Sequence, residues 1–183
     1  MTYEHKGKGK DEYCLDKKIF ISHSSKDVRY VEKIIDLLVD MGVREKQIFC
    51  SSVPGFGIPM DKDIYEYLAE EFSRTDVHVI FVLSRNYYKS IPCLNEMGAV
   101  WALKKEYMTI LLPHFDYQEI KGAINPRQIS LKLDSDQGEM KERIEEMRTK
   151  LSKELELPPI VVTRWERNRD RFIRDVLEMD DWF

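Results

Sequence analysis

The chain has 183 residues, of which 43% are hydrophobic and 34% charged, and its formal net charge is −4. This size and composition predict one globular domain with a sizeable core. A nucleic-acid-binding domain would need a basic face, which this charge argues against. The longest apolar run is far shorter than the ~20 residues that a membrane span requires.

Cysteine usage and the first residues indicate where the protein works. Cys14, Cys50 and Cys93 are widely spaced and form no C-x-x-C pair. We therefore expect no disulfide framework and no zinc site, and a cytoplasmic location. The start of the chain lacks the apolar segment of a secretory signal. Residues 1–17 are polar, and we interpret them as a flexible tail.

Apolar runs and amphipathic stripes alternate along the rest of the chain. The predicted strands are Lys18–Ser22, Lys46–Cys50, Val77–Leu83, Met108–Pro113 and Gln128–Leu133. The predicted helices span about 28–41, 64–72, 93–103, 139–155 and 161–183. Strands that alternate with helices predict an α/β domain whose parallel sheet is covered on both faces. The Arg and Asp clusters of the last helix are interpreted as a solvated face.

The order of the strands decides which turns meet, and this order is not readable from the sequence. In the common order 2-1-3-4-5, the first and third strands flank the switch point, where ligands bind beyond the carboxyl ends of the strands. The turn 22–27 would then lie beside the turn 84–90. Glu96 would lie just beyond them, in a helix that Ser90 and Pro92 are expected to begin.

Glu96 is the only carboxylate in an almost wholly apolar helix. Helical spacing places it on one face with Cys93, Val100 and Leu103. The simple interpretation is an acid near a helix N-terminus, where the helix dipole favours negative charge. The polar turns that converge on the same place favour a functional role instead.

Most standard catalytic motifs are absent from the sequence. It has no G-x-S-x-G, Walker or G-x-G-x-x-G motif, and its four histidines lack metal-ligand spacing; His78 is interpreted as a core histidine. A single carboxylate suffices for glycosidic cleavage when the leaving group needs no proton. The nicotinamide of NAD+ is such a group, because it is already cationic and departs neutral. The carboxylate then offsets charge on the oxocarbenium-like ribose, so the site must keep it ionised although burial raises its pKa.

Residues 51–59, S-S-V-P-G-F-G-I-P, form a loop whose shape two prolines and two glycines constrain. Phe56 and Ile58 near its tip suggest a contact surface for self-association. The alternative is a loop that folds back on its own domain.

Three motifs together resemble the TIR domain family. They are K-I-F-I-S-H-S-S-K-D from Lys18, I-F-C-S-S-V-P-G-F-G-I-P from Ile48, and V-I-F-V-L-S-R-N-Y from Val79 with C-L-N-E from Cys93. The resemblance covers about residues 18–135 and implies a flavodoxin-like, five-stranded parallel sheet with helices on both faces. Residues 136–183 would be C-terminal helices packed on that core. The family implies two activities, TIR–TIR assembly and cleavage of NAD+, with NAD+ as substrate and no cofactor.

The resemblance also implies site residues. Glu96 falls on the family's catalytic glutamate, and Cys93 on the cysteine of its W-C-x-x-E pattern. Pro92 stands where the family has tryptophan. Tyr88 or Trp101 would have to replace that ring, or substrate binding would be weaker; a place in the core is the alternative for Trp101. Pro92 thus favours the alternative of a catalytically silent adaptor.

Two further groups follow from the same motifs. His23 and Ser24 would border the substrate. The loop that closes over the substrate would contribute Ser51, Gly57 and Ile58.

The chain resembles bacterial TIR proteins of antiphage defence, including the TIR partner of Thoeris systems. We expect nicotinamide and either ADP-ribose or a cyclic ADP-ribose-type signal, which a separate effector protein would read because no effector domain is recognised here. Four aromatic residues favour cyclisation by holding a folded dinucleotide away from water, namely Phe56, Tyr87, Tyr88 and Trp101. A catalytically silent TIR adaptor is the alternative function.

Overall fold

A computed structural model describes residues 17–50, 52–57, 63–74 and 76–180. The strands are β1 Lys18–Ser22, β2 Ile48–Phe49, β3 Val77–Leu83, β4 Tyr107–Leu111 and β5 Leu131–Lys132. The helices are α1 Val28–Asp40, α2 Ile64–Arg74, α3 Ile91–Ala102, α4 Gln137–Glu154 and α5 Val162–Asp180. The predicted N-terminal tail lies outside the described residues, except for Lys17.

The five strands form one parallel sheet in the order β2-β1-β3-β4-β5. This order confirms the predicted doubly wound architecture. β1 pairs with β3 along its whole length, from Lys18 opposite Val77 to Ser22 opposite Phe81. The switch point therefore lies between the carboxyl ends of β1 and β3.

All seven residues of β3 are buried, as is typical of a parallel strand covered on both faces. Val79 and Phe81 belong to the core between the sheet and helices α2 and α3. Ile80 and Val82 belong to the core on the opposite face, beneath α1, α4 and α5. The two-residue period of a strand thus divides one apolar run between two cores.

Helices α4 and α5 lie on the same face of the sheet as α1. The apolar sides of α4 and α5 pack in the same core as Ile19 and Ile21. The residues they contribute are Met140, Ile144, Met147 and Leu151 from α4, and Trp165, Phe172 and Val176 from α5. The charged face of α5 is exposed at Arg164, Arg167 and Arg174. Arg171 and Asp175, by contrast, form ion pairs with Asp40 and Lys33 of α1. None of the described helices is both long and apolar enough to cross a membrane.

The outer strands are shorter than their sequences predict. Residues Glu45–Gln47 form a 3-10 turn, so β2 keeps only Ile48 and Phe49. β5 consists of two residues within the predicted range 128–133. Helix α4 begins earlier than predicted, because the carboxylate of Asp136 accepts from the backbone N–H groups of Gly138 and Glu139.

Candidate active site

The turns that follow β1 and β3 are joined by one buried carboxylate. Asp27 accepts hydrogen bonds from Ser84 Oγ at 2.5 Å and from Asn86 Nδ2 at 2.7 Å. Asp27 precedes α1 without a side-chain cap, and its carboxylate cross-links the two turns at the switch point instead.

Helix α3 begins as the sequence predicts. The Ser90 side chain accepts from the backbone N–H of Cys93, and Pro92 lies in the first turn. The inward face comprises Cys93, Glu96, Met97 and Val100, all of which are buried. Leu103 was predicted on this face but is 51% exposed, because the helix ends at Ala102.

Glu96 is only 7% exposed and lies against the end of β1. Phe20 and Ser22 alternate with Ile21 along β1, so Ser22 points towards the α2 and α3 side. The Glu96 Oε2 atom is 2.5 Å from Ser22 Oγ. Ser22 Oγ is in turn 3.0 Å from the hydroxyl of Tyr87, which donates to the carbonyl of Cys93 at 2.9 Å.

Burial dominates the electrostatics of Glu96. Burial raises its pKa from 4.5 to about 7, although the hydrogen bond from Ser22 opposes this rise. In the part of the chain that the structure describes, Glu96 forms no ion pair. A carboxyl that ionises near neutral pH without a cationic neighbour is suited to stabilise positive charge that a ligand brings.

His23 and the two buried cysteines surround this carboxyl without competing with it chemically. Burial lowers the pKa of His23, which favours the neutral ring, and its Nδ1 lies 3.2 Å from the Ile21 carbonyl oxygen. The Cys93 thiol donates to the His23 carbonyl at 3.2 Å, and Cys50 Sγ lies 3.6 Å from His23 Nδ1. Burial raises the pKa of both thiols to about 11, so neither is a thiolate nucleophile. No cluster of metal-binding side chains occurs among the described residues.

The loop residues have a different placement from the one the sequence suggests. Phe56 is half-buried and packs against the core on the α1 side, and its carbonyl accepts from the Cys50 N–H. The prediction of an exposed Phe56 is wrong, and the loop folds back on its domain at this residue. Gly57 is exposed, whereas Ser51 and Ile58 lie outside the described residues. Ser24 is buried beside His23 and accepts from the Lys26 N–H.

Neither aromatic replacement for the family tryptophan is free to face Glu96. The Tyr88 hydroxyl donates to the Lys121 carbonyl and accepts from the Lys121 N–H, and the ring stacks on Phe115 at 5.6 Å. Trp101 is 67% exposed. Five helical residues separate it from Glu96, which turns it about 140° around the axis. Trp101 therefore lies on the outer face of α3, neither at the site nor in the core.

The sequence did not indicate the hydrogen-bonding role of two hydroxyl groups beside Glu96, although Tyr87 was expected near the cleft as an aromatic ring. Ser22 and Tyr87 are completely buried and connect Glu96 to the first turn of α3. The alternation along β1 could have indicated Ser22, since it shares a face with Phe20. Nothing in the sequence indicates that the Tyr87 ring turns inward from a 3-10 turn.

A groove lies on the opposite face of the sheet, between α1 and α5. Its volume is about 580 Å³, and Phe56 forms part of its wall. Four of its charged side chains form ion pairs with each other, Lys33 with Asp175 and Asp40 with Arg171. The Glu96 site is the better candidate because it combines burial, a raised pKa and a position at the switch point.

The fold and site define a doubly wound α/β protein with two buried carboxyls, Asp27 and Glu96, at the switch point of its sheet. The TIR domain family model matches residues 19–148, and the chain belongs to this family. Over 132 residues the chain is 46% identical to the uncharacterized protein YddK of Bacillus subtilis (strain 168). These residues are 71% of this chain and 49% of YddK, so the chain spans about half the length of that relative.

Proposed function

We propose that this TIR domain cleaves the nicotinamide–ribose bond of NAD+, with Glu96 as the catalytic carboxylate. The observation that carries the proposal is the burial of Glu96 at the switch point, where it forms no ion pair with any described residue. Burial raises its pKa to about 7. The motifs that resemble bacterial defence proteins support a role in antiphage immunity, in which a nucleotide product reaches a separate effector protein.

The chemistry requires little beyond a well-placed negative charge. As the bond between ribose C1′ and the nicotinamide nitrogen breaks, its electron pair leaves with nicotinamide, which departs neutral. The positive charge moves to the ribosyl group, and ionised Glu96 offsets it in a site shielded from water. Water or a nucleophile of the same molecule then attacks C1′ and loses a proton, which gives ADP-ribose or a cyclic product.

The described residues do not support the expectation that aromatic side chains hold a folded dinucleotide and so favour a cyclic product. Tyr87 is completely buried, Trp101 faces outward and Phe56 packs on the core. The Tyr88 hydroxyl donates a hydrogen bond to the Lys121 carbonyl. We therefore propose nicotinamide release as the reaction and treat hydrolysis and cyclisation as two outcomes of one measurement.

Incubation of the purified chain with NAD+ and, separately, with NADH tests the proposal. Nicotinamide should be released from NAD+ alone, because the uncharged dihydronicotinamide of NADH is a poor leaving group. Mass spectrometry of the second product distinguishes ADP-ribose from a cyclic form that is lighter by one water. The reactions should be run over a range of protein concentrations, so that assembly-dependent activity is not missed. Release of nothing from NAD+ at any concentration would refute the proposed reaction.

A second candidate function is a scaffold that acts through TIR–TIR contacts. The observation that favours it is the outer face of α3, which exposes large apolar side chains. These are Ile91 at 73%, Leu94 at 40% and Trp101 at 67%. A stripe of this kind on one helix is typical of a protein-contact surface.

Replacing Trp101 by glutamate is expected to reduce self-association, because a charge replaces a large apolar contact. Sedimentation velocity at increasing concentration measures the effect directly. Ile129→Glu is a matched control, since Ile129 is 65% exposed beside β5 and away from α3. Equal sedimentation of the wild type and both variants would exclude the α3 face as an interface.

A further inference from the structure

Four oxygen atoms form a continuous line through the candidate site. Glu96 Oε2 lies 2.5 Å from Ser22 Oγ, which lies 3.0 Å from the Tyr87 hydroxyl, which lies 2.9 Å from the Cys93 carbonyl oxygen. Each of the four residues is buried, with at most 7% of its surface exposed. Buried polar atoms need partners, so these groups satisfy much of their hydrogen-bonding capacity within the line.

The number of protons in the line depends on the state of Glu96. The carbonyl only accepts, whereas Ser22 and Tyr87 each bring one hydroxyl proton. With Glu96 ionised, two protons must serve three oxygen–oxygen contacts, and one contact remains without a proton. With Glu96 neutral, a third proton is present. Glu96 then donates to Ser22, Ser22 to Tyr87, and Tyr87 to the Cys93 carbonyl.

We infer that Ser22, Tyr87 and the Cys93 carbonyl form a directional hydrogen-bond relay that is complete only when Glu96 is the neutral acid. Tyr87 is thus a positioning residue that acts through Ser22 and opposes ionisation of the carboxyl. Ser22 has the reverse effect, because its hydroxyl is the donor that an ionised Glu96 requires. The two hydroxyl groups of one line therefore shift the proton affinity of Glu96 in opposite directions.

The other titratable groups around Glu96 do not supply an alternative explanation within the described residues. Burial lowers the pKa of His23 at the end of β1, which favours its neutral form. The thiols of Cys50 beyond β2 and Cys93 on α3 stay protonated, because burial raises their pKa to about 11. Asp27 is engaged by Ser84 and Asn86. The relay is the contact whose bonding changes with the proton on Glu96.

The kinetic consequence of the relay rests on the proposed function. If the ionised carboxylate stabilises the ribosyl cation, the relay sets the pH below which activity falls. The proton affinity of Glu96 itself can be measured without any reaction, so the two ideas can fail separately.

Tyr87→Phe is the decisive variant. When Glu96 is neutral, loss of the Tyr87 hydroxyl removes two hydrogen bonds, from Ser22 to Tyr87 and from Tyr87 to the Cys93 carbonyl. When Glu96 is ionised, it removes only the bond from Tyr87 to the Cys93 carbonyl. The acid dissociation constant of Glu96 should therefore rise about tenfold, which means a lower pKa. If the Tyr87 hydroxyl were only a polar neighbour, its removal would raise the pKa of Glu96, because a less polar site stabilises the ionised carboxylate less well.

The measurement is a pH titration of the Glu96 side-chain carboxyl by 13C NMR, with the resonance assigned by its loss in Glu96→Gln. Ser22→Ala should lower the dissociation constant about tenfold, because an ionised carboxylate loses a charge-assisted bond. In the wild type, the Cζ resonance of Tyr87 should shift with the same pH midpoint as Glu96. That second measurement needs no variant to fold.

The relay would be overturned if the pKa of Glu96 in Tyr87→Phe were unchanged or higher than in the wild type. It would also be overturned if the Tyr87 resonance did not shift at the pH midpoint of Glu96. If the titrations agree with the relay but the wild type releases no nicotinamide, the relay stands and the proposed function fails. If the chain is active and both titrations also agree, the acid limb of kcat/KM should move to lower pH in Tyr87→Phe.

Discussion

Replacement of Glu96 by glutamine is expected to lower nicotinamide release from NAD+ by about a thousandfold. Glutamine has the shape of glutamate but no charge at any pH, so it cannot offset the positive ribosyl group in the transition state. The amide still offers Ser22 a hydrogen-bond partner, and the fold of α3 should therefore be preserved. Chromatographic measurement of nicotinamide at equal protein concentration gives the ratio.

Glu166→Gln provides the matched control for this substitution. Glu166 lies on the exposed side of α5, far from the switch point, and its replacement should leave the rate unchanged. Circular dichroism spectra of both variants check that they are folded. If Glu96→Gln keeps more than about a tenth of the wild-type rate, Glu96 is not the charge that stabilises the transition state.

The sequence predicted the central part of the sheet because buried parallel strands carry a strong local signal. Lys18–Ser22 and Val77–Leu83 are apolar runs that end in polar turns, and both match β1 and β3 at every residue. The order of the strands could not be read from the sequence, and the structure shows the common order that was assumed. In this order, the turn after β1 lies beside the turn after β3, and Asp27 links the two turns.

The edge strands were predicted less well for a physical reason. β2 and β5 each pair with only one neighbour, so fewer contacts decide where the extended backbone ends. Gln47 illustrates this effect. It reads as part of a strand, but its side chain accepts from Arg44 N–H groups and closes a 3-10 turn.

The orientation of α3 could be predicted only in part. Glu96 faces inward as its spacing with Cys93 suggests, but nearly every other residue of the helix is apolar. A helix that is apolar around its whole circumference does not reveal which side is buried. The sequence therefore did not show whether Trp101 faces the core or the solvent, and in the structure it lies on the outer face.

Glu96→Gln is also expected to stabilise the protein increasingly as pH rises. Burial raises the pKa of Glu96 from its ordinary value of 4.5 to about 7 in the folded chain. The folded state therefore holds this proton more tightly than the unfolded state does. The contribution of Glu96 to stability is fully present below pH 4.5 and is lost as pH rises through about 7.

The size of the effect follows from the same two values. A rise in pKa from 4.5 to about 7 corresponds to a loss of about 3 kcal/mol in the free energy of unfolding between about pH 4 and pH 8.5. The glutamine variant has no such proton. Its amide resembles the neutral acid, because its N–H can donate to Ser22 and complete the line to the Cys93 carbonyl.

Urea unfolding of wild type and variant at several pH values measures the difference between them. All other titrating groups occur in both proteins, so they cancel in the comparison, and the gap should widen by about 3 kcal/mol from acid to alkaline pH. Glu166→Gln, at an exposed position, should show no such widening. A variant that is more stable at pH 8.5 yet inactive would show that the chain maintains a destabilising charge where its reaction needs one. Parallel stability curves for wild type and Glu96→Gln would mean that Glu96 ionises in the folded chain as freely as it does in water.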